Sequence, residues 1–342
     1  MIQTLSLCNT CYKKIPAFVY ESNGQAWMKK ECDVHGKQSA KCEKSWMHWS
    51  NFYKYGSIGR NNSIIVHIHD KCNMKCKWCY YPECVEKIHD QDFFDHLLYD
   101  PYKGYSLMFS GGEPTERPDY HDFVEQAHLR GWTPSTITNM INLADDDFFE
   151  KTLTDAWIVD KNFYKFAMSF QHPKNYSKKI LKKKEKTLAN LEKHGLKAAC
   201  VMFSIESLDE LDFIKDFYDR TRHLYDMLRV RTLFHNWQNK GKKELYLSDL
   251  HRAFMYKFAE YTPIQSNEIE QSTAYGIYMK TKEWRNVSLM SPPTVENLDY
   301  HLASRPVHML ARDYKCYPVP IAQIVNQGIA EGWHSGFKIK ED

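Results

Sequence analysis

The residues with the most chemical information are three cysteines in one short loop. They lie in the run Cys72-Asn-Met-Lys-Cys76-Lys-Trp-Cys79, which has the spacing C-x3-C-x2-C. Three thiolates this close together can hold three corners of a cubane iron–sulfur cluster, whereas most cubanes have four cysteine ligands and transfer electrons. The fourth iron would then have no protein ligand and would offer a coordination position to a substrate or a cofactor.

Two simpler interpretations compete with the cluster. Three close cysteines could bind zinc, but zinc sites favour paired C-x2-C spacing and four closed ligands. The thiols could also be ordinary buried side chains, since cysteine is among the residues most often found in protein cores. A second motif, placed where a cluster-binding chain would need it, favours the cluster.

That second motif is the run Ser110-Gly111-Gly112-Glu113-Pro114, which begins about thirty residues after Cys79. It follows a short apolar run, residues 105–109, that predicts a buried strand. By itself the motif would be a strand-ending turn. Together with C-x3-C-x2-C it makes the chain resemble the radical S-adenosylmethionine (SAM) superfamily.

The resemblance implies a cofactor, a co-substrate and a reaction. The three cysteines of the first motif would ligate a site-differentiated [4Fe-4S] cluster, and the amino and carboxylate groups of SAM would chelate the open iron. One electron would cleave the sulfonium and release a 5′-deoxyadenosyl radical, which takes a hydrogen atom from the substrate. Gly111 and Gly112, which lack a Cβ, would let the backbone approach SAM. Glu113 would accept a hydrogen bond from the amino group of SAM.

A second set of metal-ligand residues lies in residues 1–44. The pair Cys8-Asn-Thr-Cys11 is followed, after a twenty-residue segment, by Cys32-Asp-Val-His35. Two such groups at this separation are typical of a knuckle-type metal site. Between them Asn23-Gly24 separates two largely apolar runs, which is a strong hairpin signal. The sequence therefore predicts a small β-ribbon that carries a metal ion.

The spacing leaves the metal and one ligand of this ribbon open. The candidate ligands are Cys8, Cys11, Cys32 and either Cys42 or His35. Zinc and a rubredoxin-like mononuclear iron both fit. A structural role is the simpler interpretation, and an electron relay would be open only to iron. This segment also resembles the N-terminus of a radical SAM subgroup that includes archaeal tetraether lipid synthases.

Composition excludes some classes of protein. The chain has 342 residues, of which 43% are hydrophobic, and a net charge of +3. This charge permits contact with a polyanion but does not require it. We find no apolar stretch long enough to span a membrane and no signal peptide at Met1. Ten cysteines in metal-ligand spacing favour a reducing compartment over a disulfide scaffold. We therefore expect a cytoplasmic protein that does not bind membranes.

Strands and helices alternate from residue 63 onwards, which predicts an α/β fold. The predicted strands are residues 63–69, 105–109, 135–139, 164–170, 198–204 and 227–234, and the predicted helices are near 86–98, 119–130, 145–153, 176–194 and 208–218. Six such units predict a parallel sheet, and the radical SAM resemblance implies a partial (β/α)6, TIM-like barrel. The expected organisation is a metal-binding ribbon at 1–44, a helical linker at 45–62, the barrel at 63–235 and a C-terminal extension at 236–342.

In barrels of this kind chemistry lies at the C-terminal ends of the strands. Asn139, after the third strand, is therefore a candidate for contact with the ribose of SAM. Ser169 and Gln171, at the end of the fourth, are candidates for the methionine or ribose part, and Arg231 in the sixth for the carboxylate of SAM. The alternative for each is a polar group that only stabilises the barrel.

We expect the C-terminal extension to cover the barrel mouth and hold the substrate, with a helix near 248–261 and strands near 275–280 and 285–289. It lacks the cysteine-rich segment that carries auxiliary clusters in peptide-modifying relatives. Cys316, in the run Tyr314-Lys-Cys-Tyr-Pro318, is a candidate catalytic residue, because a thiol could return a hydrogen atom to a product radical. The alternative is an inert thiol.

A run of six lysines and one glutamate, residues 177–186, predicts a solvated outer helix of the barrel. The sharper hypothesis is contact with the phosphate backbone of DNA, assisted by Lys240, Lys242 and Lys243. Neither lysine run has the interleaved aromatic residues of a single-strand binding groove.

The sequence leaves the substrate open among three classes. The first is a nucleobase or nucleotide, which includes thymidine in DNA, because phage hypermodification pathways use a radical SAM isomerase of the kind that this chain resembles. The second is an amino acid or peptide. The third is a lipid, although the mean hydropathy of −0.61 argues against it. The expected partners are a small-molecule or nucleotide substrate and a reductant such as flavodoxin or ferredoxin. The non-enzyme alternative is a binding module stabilised by two metal sites.

Overall fold

The computed structural model describes residues 1–55, 63–69, 71–76, 79, 106–158, 165–233, 245–262, 269–271, 275–283, 286–299, 302, 307–310 and 316–318. Its N-terminal part is an antiparallel four-stranded sheet in chain order, with strands β1 (Ile2–Leu7), β2 (Lys14–Ser22), β3 (Gln25–Cys32) and β4 (Gly36–Glu43). Asn23 and Gly24 join β2 to β3 with φ of +50° and +74°, the signs of a type I′ hairpin turn. The predicted hairpin is thus present.

A larger sheet follows. Its strands are β5 (Ser63–His69), β6 (Ser106–Gly111), β7 (Thr133–Thr138), β8 (Lys165–Ser169), β9 (Cys200–Ile205), β10 (Met227–Thr232), β11 (Ile269–Gln271), β12 (Gly276–Lys280), β13 (Asn286–Met290), β14 (Val307–Leu310) and β15 (Cys316–Pro318). Strands β5 to β10 lie side by side in chain order and are parallel. All six predicted strands are therefore present in the predicted arrangement.

The C-terminal part of the chain extends this sheet at both edges. Strand β13 pairs in parallel with β10, and β14 pairs in parallel with β5. Beyond them, β12 pairs antiparallel with β13 and β15 antiparallel with β14. The segment that we expected to cover the barrel mouth thus contributes strands to the large sheet, an arrangement that sequence periodicity could not reveal because pairing partners far apart in the chain leave no local signal.

The helices are α1 (Trp46–Tyr55), α2 (Tyr120–Leu129), α3 (Asp146–Ile158), α4 (Lys178–Lys193), α5 (Glu210–Thr221) and α6 (Leu247–Lys257). Ser177 caps α4 by accepting a hydrogen bond from the Ile180 amide, 3.3 Å away. Gly131, the predicted C-cap of α2, has a φ of +84°, which suits the left-handed residue that ends many helices. The helix predicted near 86–98 lies outside the described residues.

One hydrophobic core joins helices α2 to α6 to a single face of the large sheet. On each strand the core contains alternate residues, for example Leu228 and Val230 of β10 or Val201, Phe203 and Ile205 of β9. Alternate residues of a strand point to opposite faces, so helices α2 to α6 all cover the same face. We call the opposite side the second face. Helices on one face are the arrangement of β/α barrels rather than of doubly wound sheets, and closure of a partial barrel stays a prediction.

The small sheet packs against the C-terminal part of the chain through buried polar contacts. The ammonium group of Lys30 donates to the carbonyl oxygens of Leu7 and Val295, at 2.5 and 3.0 Å. Glu43, which is buried, accepts a 2.5 Å hydrogen bond from the Ser248 hydroxyl at the start of α6. Buried polar groups with partners fix one relative position of the parts they join. These contacts therefore hold the ribbon in a defined position against the C-terminal part of the chain.

Candidate active site and metal centre

The loop that carries the first motif begins directly after β5, at the C-terminal end of the strand. Cys72 is exposed, whereas Cys76 and Cys79 are half-buried. The Cys79 amide donates to the Cys76 carbonyl at 3.0 Å, and the Met74 amide donates to the Cys72 sulfur at 3.4 Å. Burial raises the pKa of the Cys76 thiol to about 11, and a neighbouring Cys79 charge adds to this rise. The loop alone therefore does not favour the thiolate at Cys76, and a bound metal would have to supply that stabilisation.

The second motif is tied to this loop by its backbone. The amides of Gly112 and Glu113 donate to the carbonyls of His69 and Lys71, at 2.7 and 2.8 Å. Gly111 has a φ of +134°, and a Cβ at this position would lie 2.2 Å from the His69 carbonyl oxygen. Glycine is therefore required here because β5 approaches so closely. This is a different reason from the approach of SAM that we expected, and the expected contact stays a prediction.

Glu113 lies at the centre of the site and is buried, with 1% of its surface exposed. Its Oε1 accepts hydrogen bonds from the hydroxyls of Thr115 and Thr138, at 2.6 and 2.7 Å, and its Oε2 accepts one from the Asn139 amide at 2.6 Å. Burial nevertheless raises the pKa of this carboxyl above its usual value. A carboxylate oxygen can accept two hydrogen bonds, so Oε2 keeps the capacity to bind a further donor.

Asn139 connects the third strand to the cysteine loop. Its side-chain amide donates to the side-chain oxygen of Asn73 at 2.7 Å and lies 3.7 Å from the Cys72 sulfur. Asn73 in turn donates to Glu116 and Asn142, at 2.8 and 3.1 Å. This network places the side chain of Asn139, a predicted site residue, directly beside the predicted cluster ligands.

Lys184 belongs to the same site, and our interpretation of the lysine run missed it. The run predicts a solvated helix face, and Lys178, Lys179, Lys182 and Lys183 are indeed exposed. Lys184, however, is fully buried, and its ammonium group donates to the carbonyls of Asn139 and Ser169, at 2.6 and 2.8 Å. Desolvation lowers its pKa to about 8, although the nearby Cys76 and Glu113 oppose this shift. Its position among apolar residues on the inner face of α4, with Thr187, Leu188 and Leu191, was the available signal.

The remaining candidates of the barrel lie on neighbouring strands. Ser169 ends β8, and its carbonyl accepts the hydrogen bond from Lys184. Gln171 is buried and accepts a 2.9 Å hydrogen bond from the Ser204 amide, and Arg231 donates to the Ser204 hydroxyl at 2.7 Å. The three predicted residues are thus held at the C-terminal ends of β8 to β10. Cys316 lies in strand β15 at an edge of the sheet, and its side chain is outside the described part, as are Lys240, Lys242 and Lys243.

A separate metal site lies in the small sheet. The ligand atoms of Cys8, Cys11, Cys32 and His35 all lie within 4.8 Å of one another. Among the residues that the structure describes, they are the one group of three or more potential ligands close enough to hold a single ion. The His35 Nδ1 lies 3.5 Å from the sulfurs of both Cys8 and Cys32. The structure therefore favours His35 over Cys42 as the fourth ligand, because Cys42 of β4 packs with the apolar side chains on the opposite part of the ribbon.

The surroundings of this site stabilise the thiolate form of Cys8. Burial alone would raise the pKa of Cys8, but hydrogen bonds from the backbone amides of Cys11 and Thr10 and from the Gln38 side chain lower it to about 6. The Gln38 amide lies 3.2 Å from the Cys8 sulfur, and its oxygen accepts from the Asn9 amide at 3.0 Å. Partners outside the ligand set orient metal ligands in this way and increase metal affinity.

The donor sets fit two different inorganic groups. Three thiolates and one imidazole that converge on one point suit a tetrahedral zinc ion. The thiols of Cys72, Cys76 and Cys79 do not form such a single-ion group. A cubane, whose irons occupy separate corners, needs thiols that are further apart, so a [4Fe-4S] cluster with three cysteine ligands fits these residues better than a single ion does.

One comparison with known proteins concerns the ribbon alone, and the others extend over a larger part of the chain. Residues 1–44 match the family described as the HMPTM N-terminal zinc ribbon domain. The 7,8-dihydro-6-hydroxymethylpterin dimethyltransferase of Methanocaldococcus jannaschii is 26% identical over 44% of this chain and 36% of that protein. The S-adenosylmethionine-dependent nucleotide dehydratase of Flammeovirga pacifica is 28% identical over 28% of this chain and 37% of that protein. The matched regions thus span little more than a third of either relative.

Solved structures show the fold. The structure of Streptococcus suis SuiB bound to precursor peptide SuiA has a TM-score of 0.53 and 12% identity, and the match covers 86% of this chain and 69% of SuiB. SuiB bound to S-adenosylmethionine gives a TM-score of 0.50. Relatives and folds together point to the radical SAM superfamily and to a zinc ribbon at the N-terminus. The narrower resemblance to tetraether lipid synthases stays a prediction. No helix in the described part of the chain is long and apolar enough to cross a membrane.

Proposed function

We propose that this protein is a radical SAM enzyme that binds a site-differentiated [4Fe-4S] cluster through Cys72, Cys76 and Cys79. One observation carries the proposal. The loop with these three cysteines is held, through the network of Asn73 and Asn139, next to the buried carboxylate of Glu113. A loop of three thiols that has no fourth ligand among the described residues, beside a carboxylate that can still accept a hydrogen bond, is what an open iron and an amino-bearing co-substrate require.

A reduced cluster held by Cys72, Cys76 and Cys79 would supply the electron that cleaves SAM into methionine and a 5′-deoxyadenosyl radical, and this radical would remove a hydrogen atom from the substrate. The chain itself binds and orients. Oε2 of Glu113 accepts a hydrogen bond from the amino group of SAM, and the side chain of Asn139 lies beside the cysteine loop at the position proposed for the ribose. Lys184 holds the ends of β7 and β8, which carry Asn139 and Ser169, at a fixed separation. Ser169, Gln171 and Arg231 stay candidates for contact with the rest of SAM.

We further propose a nucleotide, or a nucleobase that is part of one, as the substrate. Support comes from the two relatives, one named for a nucleotide and the other for a pterin, since both substrates are nitrogen heteroaromatic compounds. The reaction after hydrogen abstraction, including the rearrangement of a thymidine substituent, is open to test. An exposed lysine face on α4 would allow DNA as the form of the substrate, because cationic side chains bind phosphates without regard to sequence. A salt-sensitive gel shift distinguishes DNA from a free nucleotide.

The deciding experiment is anaerobic reconstitution with iron and sulfide, reduction by dithionite or by flavodoxin, and addition of SAM. We expect 5′-deoxyadenosine and methionine in equal amounts, and a change in the electron paramagnetic resonance spectrum of the reduced cluster when SAM is added. A preparation that binds iron and sulfide but leaves both the spectrum and the SAM unchanged would contradict the proposal. Flavodoxin or ferredoxin as the physiological reductant is part of the same proposal.

A further inference from the structure

The second face of the large sheet carries a half-buried arginine whose contacts with the described residues are all weak. Arg229 of β10 points to this face, because Leu228 and Val230 on either side of it belong to the core on the other face. Its guanidinium contacts the sulfurs of Met202 and Met227, at 3.9 and 3.7 Å, and the Tyr278 hydroxyl at 3.5 Å. Thioethers are weak acceptors, and 3.5 Å is at the outer limit of a hydrogen bond.

Two donors at this place have no partner among the residues that the structure describes. The Nε of Arg229 is sealed from solvent and makes no hydrogen bond with any described residue. The hydroxyl of Ser288, which is fully buried, also lacks a partner in the described part of the chain. Ser288 pairs in register with Arg229 across β10 and β13, and Tyr278 pairs in register with Ser288 across β12 and β13. The three side chains therefore lie in one row on one face.

No described anion neutralises this guanidinium. Arg229 forms no ion pair with a described carboxylate, and the acidic groups that act on it are the phenol of Tyr278 and the thiol of Cys200. Burial raises the pKa of Cys200, so this thiol stays neutral near pH 7. A guanidinium among thioethers and an unpaired serine hydroxyl are costly to bury. Such groups are retained where a ligand completes them, since an unpaired buried donor in a native protein calls for a partner.

We propose that Arg229, Ser288 and Tyr278 form a site for an oxyanion of the substrate, which is a phosphate or a carboxylate; this rests on the proposed function. A planar guanidinium with a neighbouring hydroxyl matches the oxygens of either group and binds them through charge-assisted hydrogen bonds. Arg231 lies on the same face, two residues nearer to the C-terminal end of β10, where Ser204 holds it. The anionic end of the substrate thus lies deep in the sheet, and the rest of the molecule extends towards the strand ends and the cysteine loop.

The test is calorimetric titration of the reconstituted enzyme in the absence of SAM. Pyrophosphate and the common nucleoside monophosphates are the phosphate probes, glutarate and citrate are the carboxylate probes, and thymidine is the neutral control. We expect at least one phosphate or carboxylate probe to bind, and Arg229→Met and Ser288→Ala each to weaken it, the former by about tenfold or more, as for the loss of a charged hydrogen-bond donor. The matched control is Arg220→Met, which removes an exposed arginine from α5 and should leave binding unchanged.

The outcomes separate the two proposals. Preference for the phosphate probes identifies a phosphorylated substrate, and preference for the carboxylates identifies a carboxylic acid. If none of the probes binds, or if binding is indifferent to both substitutions while Arg229→Met retains the native circular dichroism spectrum, the oxyanion site does not exist. Because Ser288→Ala removes a single atom, it keeps the test decisive if Arg229→Met fails to fold. SAM cleavage by the wild type, measured on the same preparation, shows independently whether the proposed function stands.

Discussion

The two cysteine-containing sites of this chain, one in the ribbon and one in the loop after β5, are built differently. In the ribbon, four ligand atoms from Cys8, Cys11, Cys32 and His35 already converge, and Cys8 and Cys32 are buried. In the loop after β5, three cysteines are spread along a turn, Cys72 is exposed, and the neighbouring groups are an amide and a carboxylate that can bind an organic ligand. The first site can close around one ion, and we propose that the second leaves a position for a ligand.

This difference indicates what decides the role of a metal site. A closed tetrahedral site has no position for a substrate, so its metal stabilises the fold. An open site next to polar residues at the C-terminal ends of parallel strands lies where barrel enzymes place their chemistry. We therefore expect substitutions in the two loops to have separable effects, with the ribbon governing folding and the loop after β5 governing reaction.

The largest expected effect comes from Cys76→Ala. Loss of one of three cluster ligands should abolish the iron–sulfur absorbance and reduce the formation of 5′-deoxyadenosine to background, while zinc content and thermal stability stay near those of the wild type. The measurements are metal analysis by mass spectrometry and product formation by chromatography. Full SAM cleavage by Cys76→Ala would contradict the assignment of this loop.

Cys32→Ser should have the converse effect. It removes a buried ligand of the ribbon, so zinc should be lost and the melting temperature lowered, because the binding free energy of a structural zinc is part of the folding free energy. Iron and sulfide should still be bound on reconstitution. The matched control is Cys42→Ser, which should retain zinc because Cys42 lies outside the ligand group. Loss of zinc in Cys42→Ser, with zinc retained in His35→Ala, would reverse our choice of the fourth ligand.

The sequence predicted the local backbone features well. The six parallel strands and the hairpin at Asn23-Gly24 follow from patterns a few residues long, such as the alternation of β-branched residues and the positive φ that Asn-Gly accepts. Cys8, Cys11 and Cys32, three of the candidate ribbon ligands, lie together with His35, and their binding of a metal stays a prediction. The choice between His35 and Cys42 depends on how β3 and β4 bring their ends together, and spacing along the chain carries no such information.

What the sequence could not show depends on contacts between distant segments. Lys184 lies in a run of lysines, and only the packing of α4 against β7 and β8 distinguishes it from its exposed neighbours. Arg229 and Ser288 are far apart in the chain and become neighbours because β13 pairs with β10. The addition of C-terminal strands to both edges of the sheet escaped prediction for the same reason.

Lys184→Met tests how much the site in the loop after β5 depends on the lysine that supports it. The substitution leaves the carbonyls of Asn139 and Ser169 without their buried donor, and we expect the free energy of unfolding to fall by about 2–6 kcal/mol, since each of the two orphaned groups costs about 1–3 kcal/mol. The Michaelis constant for SAM should rise, because the ends of β7 and β8 lose their common support. Denaturant unfolding and steady-state kinetics measure the two effects. Lys183→Met, one residue away and exposed, is the matched control and should change neither.

The smallest expected effect concerns the contact between helix α1, which packs on the ribbon, and helix α6, which packs on the large sheet. His48 of α1 lies 3.2 Å from His251 of α6, and burial together with the charges of His251 and Arg252 lowers the pKa of His48 to about 4. The unfolded chain, with a histidine pKa of about 6.5, takes up a proton at a higher pH than the folded chain does. Stability from this pair is therefore fully present above pH 6.5 and is lost as the pH falls towards 4.

At pH 5 the loss should amount to about 2 kcal/mol relative to pH 7, and urea unfolding at the two pH values measures it. His48→Gln keeps a hydrogen-bonding side chain but does not titrate, so most of this pH dependence should disappear. His223→Gln, an exposed histidine elsewhere in the barrel, should retain it. If His48→Gln keeps the full acid sensitivity, then α1 does not hold the ribbon against the rest of the chain through this pair, and the position of the ribbon would have to rest on other contacts, such as those of Lys30, Glu43 and Thr4.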